Sequence, residues 1–229
     1  MHALAAAPAD DAFPVWLSLR VALTAMVFVT PLGILLARIQ AHARYPGRSL
    51  VDALILLPLV LPPSVIGWYL AVVLGKRGAV GGWLDRWFDI TLIWTPAGAA
   101  VAAGTVAFPL LVKTAQAALE SVPPDLERVG QSLGLGPLAL FFRVSLPSAW
   151  PGIAVGLILA FARAIGEFGA TLMFAGNTPG RTNTMPLEIY AAFQEGDDDR
   201  AFLYVMLLTS ISLGVVFFAT VLAGRRRRA

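Results

Sequence analysis

The chain contains no cysteine and only two histidines, His2 and His42, among its 229 residues. The first absence excludes a disulfide framework, a thiolate zinc site, an iron–sulfur cluster and a cysteine nucleophile. The second leaves too few imidazoles, too far apart, for a histidine metal cluster. Charge is scarce as well. Asp, Glu, Lys and Arg make up 14% of the residues, against about 25% in soluble domains. That is too little polar material to coat a water-facing globule, so an ordinary soluble domain is excluded. A Gly-rich phosphate loop followed by Lys-Ser/Thr is also missing, so the chain carries no sequence signature for hydrolysing ATP itself.

What is abundant is hydrocarbon. Hydrophobic residues account for 58% of the chain and mean hydropathy is +0.75. Crossing a bilayer takes roughly 20 apolar residues in a helix, and five stretches qualify: 15–37, 51–75, 92–112, 149–175 and 202–224. Lipid cannot satisfy free backbone N–H and C=O groups, so these stretches must be helical, and the alternating strands of a barrel are absent. The predicted class is all-α and polytopic, with about five transmembrane helices. Residues 1–14 form an Ala-rich leading tail without the Lys/Arg start of a cleavable signal peptide, so the first helix is expected to be retained.

Basic residues set the expected orientation. With the C-terminus in the cytoplasm, the inner segments hold Arg38, Arg44, Arg48, Lys113, Arg128, Arg143 and Arg225 to Arg228. The outer segments then hold only Lys76, Arg77, Arg86, Arg181 and Arg200. The positive-inside tendency therefore predicts N-out, C-in. Because the terminal arginines (tail 225–229) directly follow an apolar stretch, they read as a membrane anchor rather than a nucleic-acid contact. Prolines interrupt three spans: Pro31 in the first, Pro58, Pro62 and Pro63 in the second, and Pro109 in the third. Each removes a helical hydrogen bond and is expected to bend its segment. The Pro62–Pro63 pair falls in the middle of its span, where a break survives if it lines a path or is covered by neighbouring helices.

Two further features carry chemistry. The first is the inner loop, residues 114–148. Pro123 and Pro124 precede Leu126, Val129 and Leu133, which fall at i, i+3 and i+7 and form one apolar stripe on a short helix ending at Gly134. Such a stripe either floats at the lipid interface or inserts into a groove on a soluble partner. The second is Arg163 and Glu167, four residues apart in the fourth span and expected on one helical face. Unpaired, each costs roughly 2.5–3.5 kcal/mol at mid-bilayer. They form a structural ion pair or line an anion path, while Gly166 and Gly169 permit a neighbouring helix to approach.

The loop resembles that of permeases of bacterial binding-protein-dependent ABC importers. Those proteins carry Glu-Ala-Ala, three residues, Gly, nine residues, Ile, one residue, then Leu-Pro. Leu146 and Pro147 match the end of that pattern, Val144 takes the Ile position and Gly134 the Gly position. The Glu-Ala-Ala positions fall on Arg128, Val129 and Gly130, with Glu127 one residue early, a departure that removes the usual acid. Arg163 to Ala170, followed by Gly176–Asn177 and Pro179–Gly180, is similar to the oxyanion branch of the family. Leu57 to Pro63, Gly75 to Gly78 and Phe108 to Leu110 resemble its molybdate permeases.

The resemblance implies a type I ABC importer permease fold, spanning about 15–224, in a bacterial inner membrane. It also implies a homodimer and a coupling helix docked on two cytosolic ATPase subunits, with the Pro62–Pro63 break expected near the pathway. The outer partner would be a periplasmic molybdate-binding protein. ATP and Mg2+ would bind the ATPase, leaving this chain without a cofactor. The cargo would be molybdate or tungstate, with sulfate or thiosulfate as the alternative. An intramembrane hydrolase is the rival from another class. It would need a nucleophile beside a base, yet Ser64, Ser210 and Ser212 have no histidine in any span to serve them. A passive scaffold would need neither the charged span nor the broken helices.

Overall fold

The computed structural model describes residues 12–43 and 45–225, so most of the leading tail and of the terminal Arg run lies outside it. Among the described residues there are helices and turns but no strand. α1 (Phe13–His42) passes Pro31 without interruption. α2 (Arg48–Val60) and α3 (Pro63–Leu74) follow, then the short α4 (Gly81–Phe88) and the long α5 (Pro96–Glu120). The loop region holds α6 (Pro124–Ser132) and α7 (Pro137–Leu140), which leads through a π turn, Phe141–Ser145, into α8 (Leu146–Ile165). α9 (Gly169–Ala175), α10 (Met185–Glu195) and α11 (Asp198–Arg225) complete the described chain.

Three of the expected spans differ in form. The second is two helices, α2 and α3, bent by 114° at the proline pair. The residue before a proline is pushed out of the α region. Leu61 and Pro62 accordingly take extended ψ values of 144° and 135°, and Pro63 opens α3. Single prolines do not do this: α5 runs through Pro109 and α8 through Pro151. The third span starts later than expected, at Pro96, because the Thr95 side chain caps α5 by accepting the Gly98 N–H at 3.1 Å. It also runs on to Glu120, which shortens the loop expected over 114–148. The fourth span is not one helix over 149–175. It begins at Pro137, stops at Ile165 and resumes as α9. Among the described residues, four helices are each long and apolar enough to cross a bilayer, or five with the α2–α3 pair counted as one span.

α5 is the centre of the molecule and enters all three apolar clusters. Ala99, Ala103 and Ala107 meet Leu17, Val21 and Ala25 of α1. Val112, Ala115 and Leu119 meet Ala37 and Ile153, and Ala102 and Val106 meet Ile66, Ala170 and Phe174. Small side chains make this possible, because in lipid helices associate by close packing rather than by hydrophobic drive. A Cβ on Gly104 would lie 3.1 Å from Val29 Cγ2, and one on Gly156 would lie 2.9 Å from Thr114 Cβ. α11 is peripheral: only 6% of its apolar window is buried, against 61% for α5. α4 exposes Trp83, Trp87 and Phe88, the aromatic character of an interfacial helix.

The bent pair is anchored where α3 crosses α9. A Cβ on Gly67 would sit 2.6 Å from Met173 Cβ and 2.7 Å from the Ala170 carbonyl oxygen, so one of the helices would have to move. Gly67→Ala is expected to lower stability by about 1–3 kcal/mol, the range for overpacking a close contact. Gly214→Ala, where an added Cβ meets nothing within 4 Å, is the control and should be neutral. Denaturant titration of the purified protein in detergent measures both, and equal stability of the two variants would contradict the close α3–α9 crossing.

Candidate functional site

The residues singled out in the sequence gather at the two ends of one rod. α7, the π turn and α8 form a helical run of 29 residues from Pro137 to Ile165, about 43 Å long at 1.5 Å per residue. The π turn has a local cause. Pro147 has no N–H, and its ring clashes with the carbonyl four residues back in a regular helix. The turn before it widens, and the Leu146 N–H reaches back to the Phe141 carbonyl instead.

At the near end, α6 stops where the loop pattern places its glycine. Gly134 has φ +82°, and its N–H reaches the Gln131 carbonyl while Leu135 N–H reaches that of Gly130. Together these bonds make a Schellman cap, which a left-handed glycine allows. The pattern residues split into two faces. Leu126, Val129 and Leu133 are 47%, 59% and 77% exposed, so the apolar stripe has no cover among the described residues. Arg128 is exposed beside them and pairs with Asp125 at 3.1 Å. Facing inward, Gly130 is buried so closely against Leu140 that a Cβ would lie 2.5 Å from its Cδ1, and Val144 packs beside it. Leu146 is half-buried at the start of α8, with Pro147 exposed next to it.

Glu127 also faces inward. Its Oε1 accepts a hydrogen bond from Ser145 Oγ at 2.7 Å and lies 3.3 Å from His42 Nε2. Arg38 adds a second tie, donating to the Pro137 carbonyl at 2.8 Å with its guanidinium 4.2 Å from the Phe141 ring centre. The acid that stands one residue early thus fastens α6 to the end of α1 and to the π turn. His42, Arg38 and Ser145 were not marked by spacing, since each acts across the tertiary structure. Further along, Arg48 approaches Glu120 at 3.5 Å and Lys113 bonds Asp52, fastening α2 to α5 by two rungs. The matching i,i+4 spacing of Arg48 and Asp52 was a usable signal for this zipper.

At the far end, Arg163 and Glu167 do pair, but not along a continuous helical face. The helix ends at Ile165, and the pair closes across the break with Arg163 Nη1 2.7 Å from Glu167 Oε2. The other carboxylate oxygen accepts the Ala170 N–H at 2.8 Å in the first turn of α9. Each charge therefore sits where free backbone groups favour it, the cation at a helix C-terminus and the anion at a helix N-terminus. The carboxylate side chain is 1% exposed and the guanidinium 30%, so the open side of the pair is positive. Gly169 lets α3 approach, its Cβ position lying 3.0 Å from Pro63 Cβ. Gly166 serves no such contact: it is exposed, with only the Ala162 carbonyl oxygen nearby at 3.7 Å. Pro62 is exposed beside Pro63 at the bend.

Comparison with known proteins agrees with this architecture. A family profile described as "Binding-protein-dependent transport system inner membrane component" matches residues 29–228. The molybdenum transport system permease protein ModB of Escherichia coli K12 is 45% identical over 180 residues, 79% of either chain. The sulfate transport system permease protein CysT of the same strain is 36% identical over 204 residues, 89% of this chain and 73% of that one. Among solved structures, a chain of a bacterial alginate ABC transporter superposes with a TM-score of 0.72 over 93% of this chain and 78% of its own, at 21% identity, which shows a shared fold. An all-α chain with a proline-broken helix pair, a capped helix with an uncovered apolar stripe and a family match over most of its length belongs to the inner-membrane components of binding-protein-dependent transport systems.

Proposed function

We propose that this chain is the permease subunit of an ABC importer that carries molybdate, or the equivalent tungstate dianion, into the cytoplasm. The observation that carries this reading is the 45% identity with a molybdenum permease across most of both chains. Sulfate is the second reading, favoured by the 36% identity with a sulfate permease. Both cargoes are tetrahedral dianions, so either needs a path with an exposed cation and no unpaired acid. Two copies of the chain would enclose that path, two ATPase subunits binding ATP and Mg2+ would drive it, and a periplasmic binding protein would deliver the anion. This chain binds no cofactor and hydrolyses nothing in the proposed scheme.

The structure supports a division of labour. Leu126, Val129 and Leu133 offer an apolar ridge to a groove on the ATPase, the helix-in-groove mode. Glu127, Ser145 and His42 tie that ridge to α1 and to the start of the rod. A displacement of α6 then reaches the Arg163–Glu167 break along a single helix. There the partly exposed guanidinium offsets the charge of the passing anion, while Pro62 and Pro63 let the α2–α3 bend change angle as the path opens to one side or the other.

The basic residues favour an outer N-terminus and an inner C-terminus. The absence of native cysteine makes the orientation directly testable. Ser49→Cys and Ser132→Cys should resist an impermeant thiol reagent added outside intact cells, while Arg181→Cys should react. Arg181 is the choice because Thr182 beside it is fully buried. Labelling of Ser132→Cys from outside reverses the orientation.

Docking through α6 is tested by Gly134→Val. An added Cβ there meets nothing within 4 Å, so the variant disturbs only the left-handed backbone. That conformation costs a β-branched residue about 1–2 kcal/mol, or roughly five- to thirtyfold in the population of the capped form. Co-purified ATPase and labelled molybdate uptake should both fall while membrane insertion persists. Wild-type yield of ATPase with wild-type uptake would place the docking surface elsewhere.

A pathway role for Arg163 is separated from a structural one by a double substitution. Arg163→Leu alone leaves a buried carboxylate without its cation, at a cost of about 3–5 kcal/mol, so folded protein should drop. Arg163→Leu with Glu167→Gln removes both charges and keeps an acceptor for the Ala170 N–H, which should restore abundance. Molybdate uptake per folded complex should remain low. Recovery of uptake to the wild-type level would reduce Arg163 to a structural residue.

A further inference from the structure

Lys76 and Arg77, in the turn after α3, and Arg181, in the turn after α9, line one cavity of about 880 Å³. Nearby carboxylates offset only part of this charge. Asp85 lies 3.9 Å from Lys76 Nζ, while among the described residues no acid stands within ion-pair distance of Arg77 or Arg181. Each of the three cationic side chains is exposed.

The cavity is shaped by backbone rather than by mobile loops. The 75–78 turn is closed by Gly78 N–H to the Gly75 carbonyl at 2.8 Å and by Val80 N–H to that of Val73 at 3.1 Å. A Cβ on Gly78 would strike the Val72 and Val73 carbonyl oxygens at 2.4 Å, so no other residue fits there without a shift. Across the cavity, Trp94 has a left-handed backbone, φ +61°, pinned by its N–H to the Phe174 carbonyl at 3.2 Å. Its ring occupies the space a Cβ on Gly176 would take.

Position decides what such a cavity is for. α9 begins beside the Arg163–Glu167 pair and ends at Ala175, next to Gly176 and Trp94. One short helix therefore links the charged break to the cationic cavity. The exposed aromatics of α4, close in sequence to the 75–78 turn, are of the kind enriched at the level of the membrane–water interface. At that level, a basic hollow bordered by low-dielectric material concentrates anions and raises their entry rate.

Resting on the functional reading above, we propose that Lys76, Arg77 and Arg181 form an entrance site for a tetrahedral oxyanion dianion, which waits there, still hydrated, before passing along α9 toward Arg163. The cavity is much larger than one such ion and its cations are solvated, so the site acts on rate and holds its ligand weakly. A phosphate headgroup of an anionic lipid presents the same chemistry and is the competing occupant. A docked acidic surface of the binding protein is the other.

The test uses the assembled complex of permease, ATPase and binding protein in vesicles, with labelled molybdate as the probe and uptake normalised to folded complex. Arg77→Gln with Arg181→Gln is expected to lower the maximal rate about five- to tenfold at low ionic strength. The deficit should shrink at about 0.5 M salt, where screening removes most of the effect. The concentration of loaded binding protein giving half-maximal rate should not change, and Arg77→Lys with Arg181→Lys should restore most of the uptake. Equal rates for wild type and the Gln pair overturn the entrance site. So does a rise in the half-maximal concentration with an unchanged maximal rate, which assigns the patch to protein docking. A deficit seen only in vesicles containing phosphatidylglycerol assigns it to lipid and overturns it too. A wild-type complex that moves neither molybdate nor sulfate is a different result: it removes the functional reading itself, and the entrance site with it.

Discussion

The rest of the structure depends on how closely backbones approach α5. Lipid tails are as apolar as leucine, so burying leucine between helices yields little by itself, and contact distance becomes the deciding quantity. The alanines and glycines of α5 meet that need on three sides at once, which is why every apolar cluster contains it. Larger side chains then fill the grooves the small ones leave, as Leu111 of α5 does opposite Gly33 of α1. With α5 fixed, α11 can remain almost wholly uncovered and still be held through α8 and α10.

The breaks follow from the same constraint turned around. An interrupted helix in an apolar setting exposes backbone groups that lipid cannot satisfy. Here the interruption after Ile165 is answered by side chains: Glu167 takes an N–H of α9, and Arg163 stands near the free carbonyls that end α8. Charge and break are therefore one feature, since each supplies what the other lacks. The interruption at Pro62–Pro63 is answered by proximity, with α3 laid against α9 through Gly67 and Gly169. The two breaks meet at that crossing.

Much of this was legible in the residues. Hydropathy alone specified a helical membrane protein, and the residue pattern ending at Gly134 located the capped helix, whereas the rod that starts at Pro137 was read as loop up to residue 148. The proline pair was visible as a break because two consecutive prolines force three extended or helix-opening conformations in a row, whereas Pro31 and Pro109 looked alike to it and are carried inside intact helices. The stop at Ile165 was not legible: Arg163 and Glu167 at i,i+4 are compatible with an unbroken helix, and only the Ala170 N–H shows why the chain turns there. α10 was missed despite ordinary signals, Thr184 before it, Pro186 in its first turn and Gly196 after it. Its buried Glu188, held by Asn183 and Arg200, answers to partners outside any local pattern.

The π turn between α7 and α8 has a consequence in angular terms. Each residue of an α-helix advances the chain by about 100°, and a single π turn accommodates one surplus residue. Everything beyond Ser145, up to Arg163, is thereby rotated relative to the start of the rod by roughly the angle of that one residue. The phase between the α6 end of the rod and the charge at the far end is thus set by a single insertion, maintained by a proline that cannot donate a hydrogen bond. The zero point of that phase lies at Phe141–Ser145.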